Sequence, residues 1–138
     1  MKKTSILVVD DEQSMREMYE AVLSTADLTT VAAKNAEEAL EIINSSPVQV
    51  MFLDLQLPGM NGVELCRKIK TLKPTAVCIA VTGNSSIFDL VACREAGFDD
   101  YFAKPVPIKD LIAAAQASFA KVERWAAVMS RSERVAAQ

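Results

Sequence analysis

Three short stretches of this chain, Ile6 to Val9, Val48 to Leu53 and Ala76 to Val81, are apolar almost throughout. They lack the alternation of a strand with one wet face, so each is suited to burial on both faces, the mark of a parallel sheet covered by helices. Between them the period changes to that of a helix. Met15, Met18, Tyr19, Val22 and Leu23 recur at i, i+3, i+4, i+7 and i+8. Asn35, with Glu38 three residues on, caps a helix running through Asn44 with Ala39, Leu40 and Ile43 inward. Gly62 begins a third helix carrying Leu65, Ile69 and Leu72, ended by Lys73-Pro74. Ser85 or Ser86 caps a fourth that stops at Gly97, and Ile108 starts the last. Thr29 to Ala33 is more polar and reads as an edge strand; Asp100 to Ala103 is a short fifth strand. Five β-α repeats with short connections predict an α/β doubly wound parallel sheet, strand order 2-1-3-4-5, with five helices.

At 138 residues this is most simply one domain. A net charge of −3 gives no electrostatic reason to expect nucleic acid or an anionic membrane as a partner. No segment approaches the ~18 apolar residues of a membrane span, and the first apolar run is too short for a signal peptide, so the chain reads as cytoplasmic. There is no histidine, and Cys66, Cys78 and Cys93 are far apart in sequence. Zinc and dithiol chemistry therefore have little to stand on, and the thiols read as small buried hydrophobes. The chemistry left is that of carboxylates, hydroxyls and amines.

Those groups collect where such a sheet binds ligands, beyond the carboxyl ends of its strands. Strand one ends in Asp10-Asp11-Glu12, strand three in Asp54, strand four in Thr82-Gly83-Asn84 and strand five in Lys104-Pro105. A single strand-end carboxylate is more often a helix cap or a loop residue, Thr82 alone a strand-end cap, Tyr101 alone a core aromatic, and Gly59 and Gly62 turn residues. Three carboxylates converging at the switch point repel unless a cation joins them, and oxygen ligands alone match Mg²⁺. A lysine and a threonine hydroxyl opposite them suit a phosphoryl oxygen. With no Ser-His or Cys-His pair, the available nucleophile is a carboxylate.

The segments Val8-Val-Asp-Asp-Glu12, Asp54-Leu-Gln-Leu-Pro-Gly-Met-Asn-Gly62, Val81-Thr-Gly83 and Asp99-Asp-Tyr-Phe-Ala-Lys-Pro105 together resemble the receiver domain of two-component response regulators, over residues ~4 to ~122. The resemblance implies a flavodoxin-like fold and a signalling role as a phosphorelay acceptor rather than an enzyme. It implies Asp54 as phosphoacceptor for a sensor histidine kinase or phosphotransfer protein. Asp10, Asp11, Asp54 and the main-chain carbonyl of Gln56 would hold Mg²⁺, Asp10 through water. Lys104 would pair with Asp54 and then with a phosphoryl oxygen, Thr82 would bond another oxygen, and Tyr101 would be the switch aromatic behind Thr82. The Lys104-Pro105 peptide would be cis, and the readout would be the surface of helix four, strand five and helix five.

Asn61 stands where Asp is frequent in that family, Phe98 where Ala is usual and Val106 where an aromatic often follows; Gln56 and Asn84 lie at variable positions near the phosphate. These departures bear on lifetime and partner choice. An aspartate-nucleophile phosphatase is the competing class, but it needs an acid-base Asp where this chain has Gln56. A flavin or nucleotide carrier would need a phosphate loop where this chain has three acids.

Residues 1–122 read as the receiver domain, and 123–138 as a helical C-terminal extension or linker. Ile108, Ile112, Ala115, Phe119, Val122, Ala126 and Met129 form a seam with heptad spacing. Past Val122 the domain offers no surface to cover it. The readings are a frayed extension or linker, or a homodimer formed through helix five and its extension. A stand-alone receiver and the N-terminal receiver of a longer regulator both remain open.

Overall fold

The structure, a computed structural model, describes residues 5–83 and 87–137. Five strands and five helices alternate: β1 Ser5–Val9, α1 Gln13–Ser24, β2 Thr29–Ala33, α2 Ala36–Ser45, β3 Val50–Asp54, α3 Gly62–Leu72, β4 Val77–Thr82, α4 Ile87–Ala96, β5 Asp100–Ala103 and α5 Ile108–Ala136. The sheet is wholly parallel in the order β2-β1-β3-β4-β5, as the alternation predicts.

The apolar runs are inside because both of their faces are covered. Met51 and Leu53 of β3 join Cys78 and Ala80 of β4 under α2, α3 and α4. Val50 and Phe52 turn the other way, with Ile79 and Val81, under α1 and α5. Tyr19 of α1 stacks obliquely on Phe52, ring centroids 5.6 Å apart. β2 is half-exposed at one edge and β5 at the other. The three cysteines are free and buried.

The helix ends follow local chemistry. Asn35 Oδ1 accepts the Glu38 N–H at 2.9 Å, and Asn61 Oδ1 accepts that of Glu64 at 3.0 Å. Asn61 thus keeps the capping oxygen that Asp would supply. Gly97, at φ +102°, ends α4 with paired bonds from Phe98 N to Cys93 O and from Gly97 N to Arg94 O. The expected cap at Ser85 or Ser86, and Asn84, lie outside the described residues.

Two expected core positions are not in the core. Leu72 is 52% exposed, because the last turn of α3 turns it into an open groove shared with Leu40 and Asn44 of α2. Ile108 is 62% exposed; α5 meets the sheet one turn later, through Leu111, Ala115 and Ser118, with Ile112, Phe119 and Val122 flanking. From residue 123 to residue 137 every residue of the extension is exposed. Among the described residues no helix is long and apolar enough to cross a membrane.

Candidate functional site

The register of the sheet draws the polar strand ends together. Asp54 lies opposite Val81, one residue before Thr82, and Thr82 lies opposite Ala103, one residue before Lys104. The Lys104 N–H donates to Thr82 O at 2.8 Å, and the Lys104–Pro105 peptide is cis. Asp54 closes β3 and is 5% exposed; Thr82 closes β4, wholly buried.

Asp10 is also wholly buried, and each of its polar atoms has a partner. Its N–H donates to Ala33 O at 3.1 Å, its Oδ1 accepts the Glu12 N–H at 2.9 Å, and its Oδ2 accepts from Lys104 Nζ at 3.0 Å. Its carbonyl accepts from Arg16 Nη1 at 2.8 Å. Asp54 Oδ1 accepts the Gln56 N–H at 3.1 Å, and its Oδ2 accepts from Lys104 Nζ at 3.3 Å. One ammonium therefore serves two buried carboxylates.

The charges shift one another. Burial pushes the Asp54 carboxyl above the ordinary carboxylate range, helped by the Asp10 charge and opposed by the Gln56 N–H and Lys104. Burial alone would lower Lys104, but the hydrogen bond to Asp10 and the charges of Asp10 and Asp54 lift it above the ordinary lysine value. The Tyr19 phenol is raised by burial and then by the same two acids.

Of the sequence-derived site residues, Asp10, Asp54 and Lys104 are in direct contact and Thr82 adjoins them through the backbone. Asp11 is exposed beside Asp10, and its carboxylate oxygens, with those of Asp10 and Glu12, come within 4.8 Å of one another. Among the described residues this is the one cluster of three acids so placed; Asp54 lies outside it. Tyr101 is half-buried against the α3–α4 side of the core, in a hollow shared with Leu90, Cys93 and Phe98. Arg16 is the neighbour that motif reasoning passes over, and Glu12, already in the acidic run, proves to share its carboxylate with the cluster. Glu12 takes the N-cap position of α1 yet makes no side-chain cap bond, which leaves its carboxylate with the other two. A hard cation fits this donor set of carboxylate oxygens without nitrogen or sulfur.

Gly62 shows why the loop after β3 holds its shape. A Cβ there would overlap the carbonyl oxygen of Asp54 and lie 2.8 Å from Leu55 Cα. Gly59 is the ordinary turn glycine, at φ +74°.

A parallel sheet of this order with acids, a threonine and a lysine at its carboxyl edge is the form of a signalling receiver, and comparison with known proteins identifies the class. The family model of the response regulator receiver domain matches residues 6–116, and the chain belongs to that family, the receiver domains of two-component signalling. It is 34% identical over 130 residues to the regulatory protein VanR of Enterococcus faecium, covering 94% of this chain and 56% of that protein. It is 37% identical over 110 residues to the response regulator ArlR of Staphylococcus epidermidis, covering 80% of this chain and 50% of ArlR. The chain thus spans about half the length of these curated relatives. The crystal structure of a receiver domain protein from Methanospirillum hungatei superposes with a TM-score of 0.85 at 30% identity, over 89% of this chain and 98% of that one.

Proposed function

We propose that Asp54 accepts a phosphoryl group from the phosphohistidine of a sensor histidine kinase or phosphotransfer protein. An Asp54 oxygen forms the new O–P bond while the P–N bond to the donor imidazole breaks. The imidazole leaves with the bonding pair and takes up a proton. The observation that carries this reading is Lys104 Nζ standing between Asp10 and Asp54, at 3.0 and 3.3 Å. Its charge favours the ionised acceptor against the effect of burial, and it is ready to transfer its bond to a phosphoryl oxygen.

Asp10, Asp11 and Asp54, with the main-chain carbonyl of Gln56, are the groups we assign to Mg²⁺, Asp10 through water. The ion would offset the repulsion between these acids and the incoming phosphoryl oxygens. Thr82 then donates its hydroxyl to the phosphoryl group, and Tyr101 turns inward behind it. Phosphorylation adds about one further negative charge and three strong acceptors at the end of β3. The shift of the β4 and β5 ends alters the face formed by α4, β5 and α5. Only self-phosphorylation and autodephosphorylation are expected as chemistry. Residues 1–122 constitute the receiver in this reading, and 123–138 a helical extension through which a homodimer forms. A second reading, the receiver of a longer regulator with a DNA-binding or enzymatic output, has support in the greater length of VanR and ArlR.

Intact-mass measurement after incubation with acetyl phosphate tests the acceptor. Wild type should gain one phosphoryl group, labile to hydroxylamine, only with Mg²⁺. Labelling that persists in Asp54→Ala would overturn the assignment.

A further inference from the structure

We propose, resting on the cation assignment above, that Arg16 is a positioning residue for that site. It anchors the β1–α1 turn that carries two of the assigned groups, Asp10 and Asp11, with the Glu12 carboxylate beside them. The anchor is the bond of 2.8 Å from Arg16 Nη1 to the carbonyl of Asp10. That carbonyl lies just past the sheet ladder, whose last β1 pairs are Val9 with Ala33 and Val9 with Leu53. Arg16 supplies the partner instead. It sits in the first turn of α1, its own N–H on Glu12 O at 3.2 Å, and helical side chains lean back toward the N-terminus. The guanidinium thereby reaches back across the turn that carries the acids.

The turn needs such a hold. Three carboxylates with oxygens within 4.8 Å of one another push apart, and Asp11 and Glu12 are exposed and free to yield. Asp10 is held by its N–H, both carboxylate oxygens and its carbonyl, and only the last of these bonds comes from α1's own side chains. Arginine suits the place, being weakly hydrated, always charged and rigid at its donor end.

The charge of Arg16 works against its geometry. A resident cation lowers the negative potential of the acids and, acting alone, weakens the binding of a second cation. Loss of Arg16 therefore weakens cation binding if the bond to Asp10 matters more, and tightens it if the charge does.

The test is Mn²⁺ binding to the full chain, read from the electron paramagnetic resonance of the free ion, with Mg²⁺ as competitor. Arg16→Met should weaken both ions about tenfold. Arg16→Lys, which keeps a charged donor, should recover most of the loss. Acetyl phosphate labelling of Arg16→Met should return to the wild-type rate at saturating Mg²⁺, since the residue acts on ion affinity rather than on transfer. Arg16→Gln, with a shorter donor, should lose affinity in the same direction and serves where the methionine variant does not fold. Equal or tighter binding by Arg16→Met or its glutamine substitute would overturn the proposal, as would a lysine variant as weak as the methionine one. Wild-type protein that binds neither ion would overturn the cation assignment itself, an outcome distinct from a wild type that binds and a variant that does not differ.

Discussion

Lys104 Nζ lies nearer to Asp10 Oδ2, at 3.0 Å, than to Asp54 Oδ2, at 3.3 Å. The acid wholly excluded from solvent takes the shorter bond, and the proposed acceptor the longer. Removing the lysine strands two buried carboxylates. Lys104→Met is expected to lower stability by about 3 kcal/mol at neutral pH without divalent ions, the low end for breaking a buried ion pair because the lysine side chain is 18% exposed. Saturating Mg²⁺ should restore much of the loss, because an ion bound only by the folded state stabilises it. Urea melts with and without Mg²⁺ check both. Because its folded pKa is raised, the lysine's contribution is complete at neutral pH and lost only as pH rises past the ordinary lysine range.

Asp54 carries the opposite sign. Burial raises its pKa in the fold, so keeping it ionised costs stability. For a carboxyl raised in this way, its relative contribution is most favourable below the unfolded pKa of about 3.9 and is lost as pH rises through the folded value. Asp54→Asn should therefore stabilise the protein at pH 7 by about 0.5–1.5 kcal/mol, in the range typical of relieving an active-site strain. The gain should shrink toward zero as the pH falls to ~4. Thermal melts across pH decide it; an asparagine variant less stable than wild type at pH 7 would contradict it.

How far the sequence carries the reader depends on which property a residue expresses. The apolar runs at Ile6, Met51 and Cys78 identify buried parallel strands because burial on two faces leaves no polar position in between. The strand order and the polar edge follow from that. Periodicity names a helix face but not where the sheet beneath it ends, so Leu72 and Ile108 look like core and are exposed while Leu111 goes unmarked. Gly62 reads as a turn glycine, since nothing local announces that its α-carbon abuts the Asp54 carbonyl. Arg16 escapes for a related reason. A long side chain on a helix reads as solvated, and its reach back to a strand end exists only once the strand and helix are packed.

Asp99 is another residue whose part emerges only from packing. Its Oδ2 accepts from Lys70 Nζ at 2.8 Å and from the Cys78 N–H at 2.9 Å, and its Oδ1 from Lys121 Nζ at 3.1 Å. One carboxylate so ties α3, β4 and α5. Burial opposes its ionisation, but Lys70, the Cys78 N–H and Lys121 together hold it below the ordinary carboxylate range. The stability this confers is present above the unfolded pKa and is lost as pH falls through the folded one. Asp99→Asn should cost about 2 kcal/mol at pH 7, by the usual worth of charge-assisted bonds, with the difference closing in acid. Lys121 is 42% exposed on its side chain, so Lys121→Met should cost under about 1 kcal/mol. Denaturant titrations of the two variants at neutral and acid pH separate these expectations.

Trp125 and Met129, each 50% exposed, lie in the part of α5 past Val122, where Met129 shares an open hollow with Gln49 and Thr75 and Trp125 is not among its lining residues. A helical segment of some fifteen residues is marginal in water alone, and its apolar side chains gain stability only against a partner. In the proposed homodimer a second copy is that partner. Deleting residues 123–138 should then leave the domain's stability within about 0.5 kcal/mol, since no core residue is removed, and should abolish self-association. Light scattering with and without beryllofluoride and Mg²⁺ distinguishes how the two are linked. A mass that doubles only with the mimic, and not in Asp54→Ala, makes association a consequence of phosphorylation. A constant dimer makes α5 a standing coiled coil, and a constant monomer of the full chain removes the homodimer and directs the output to a separate partner.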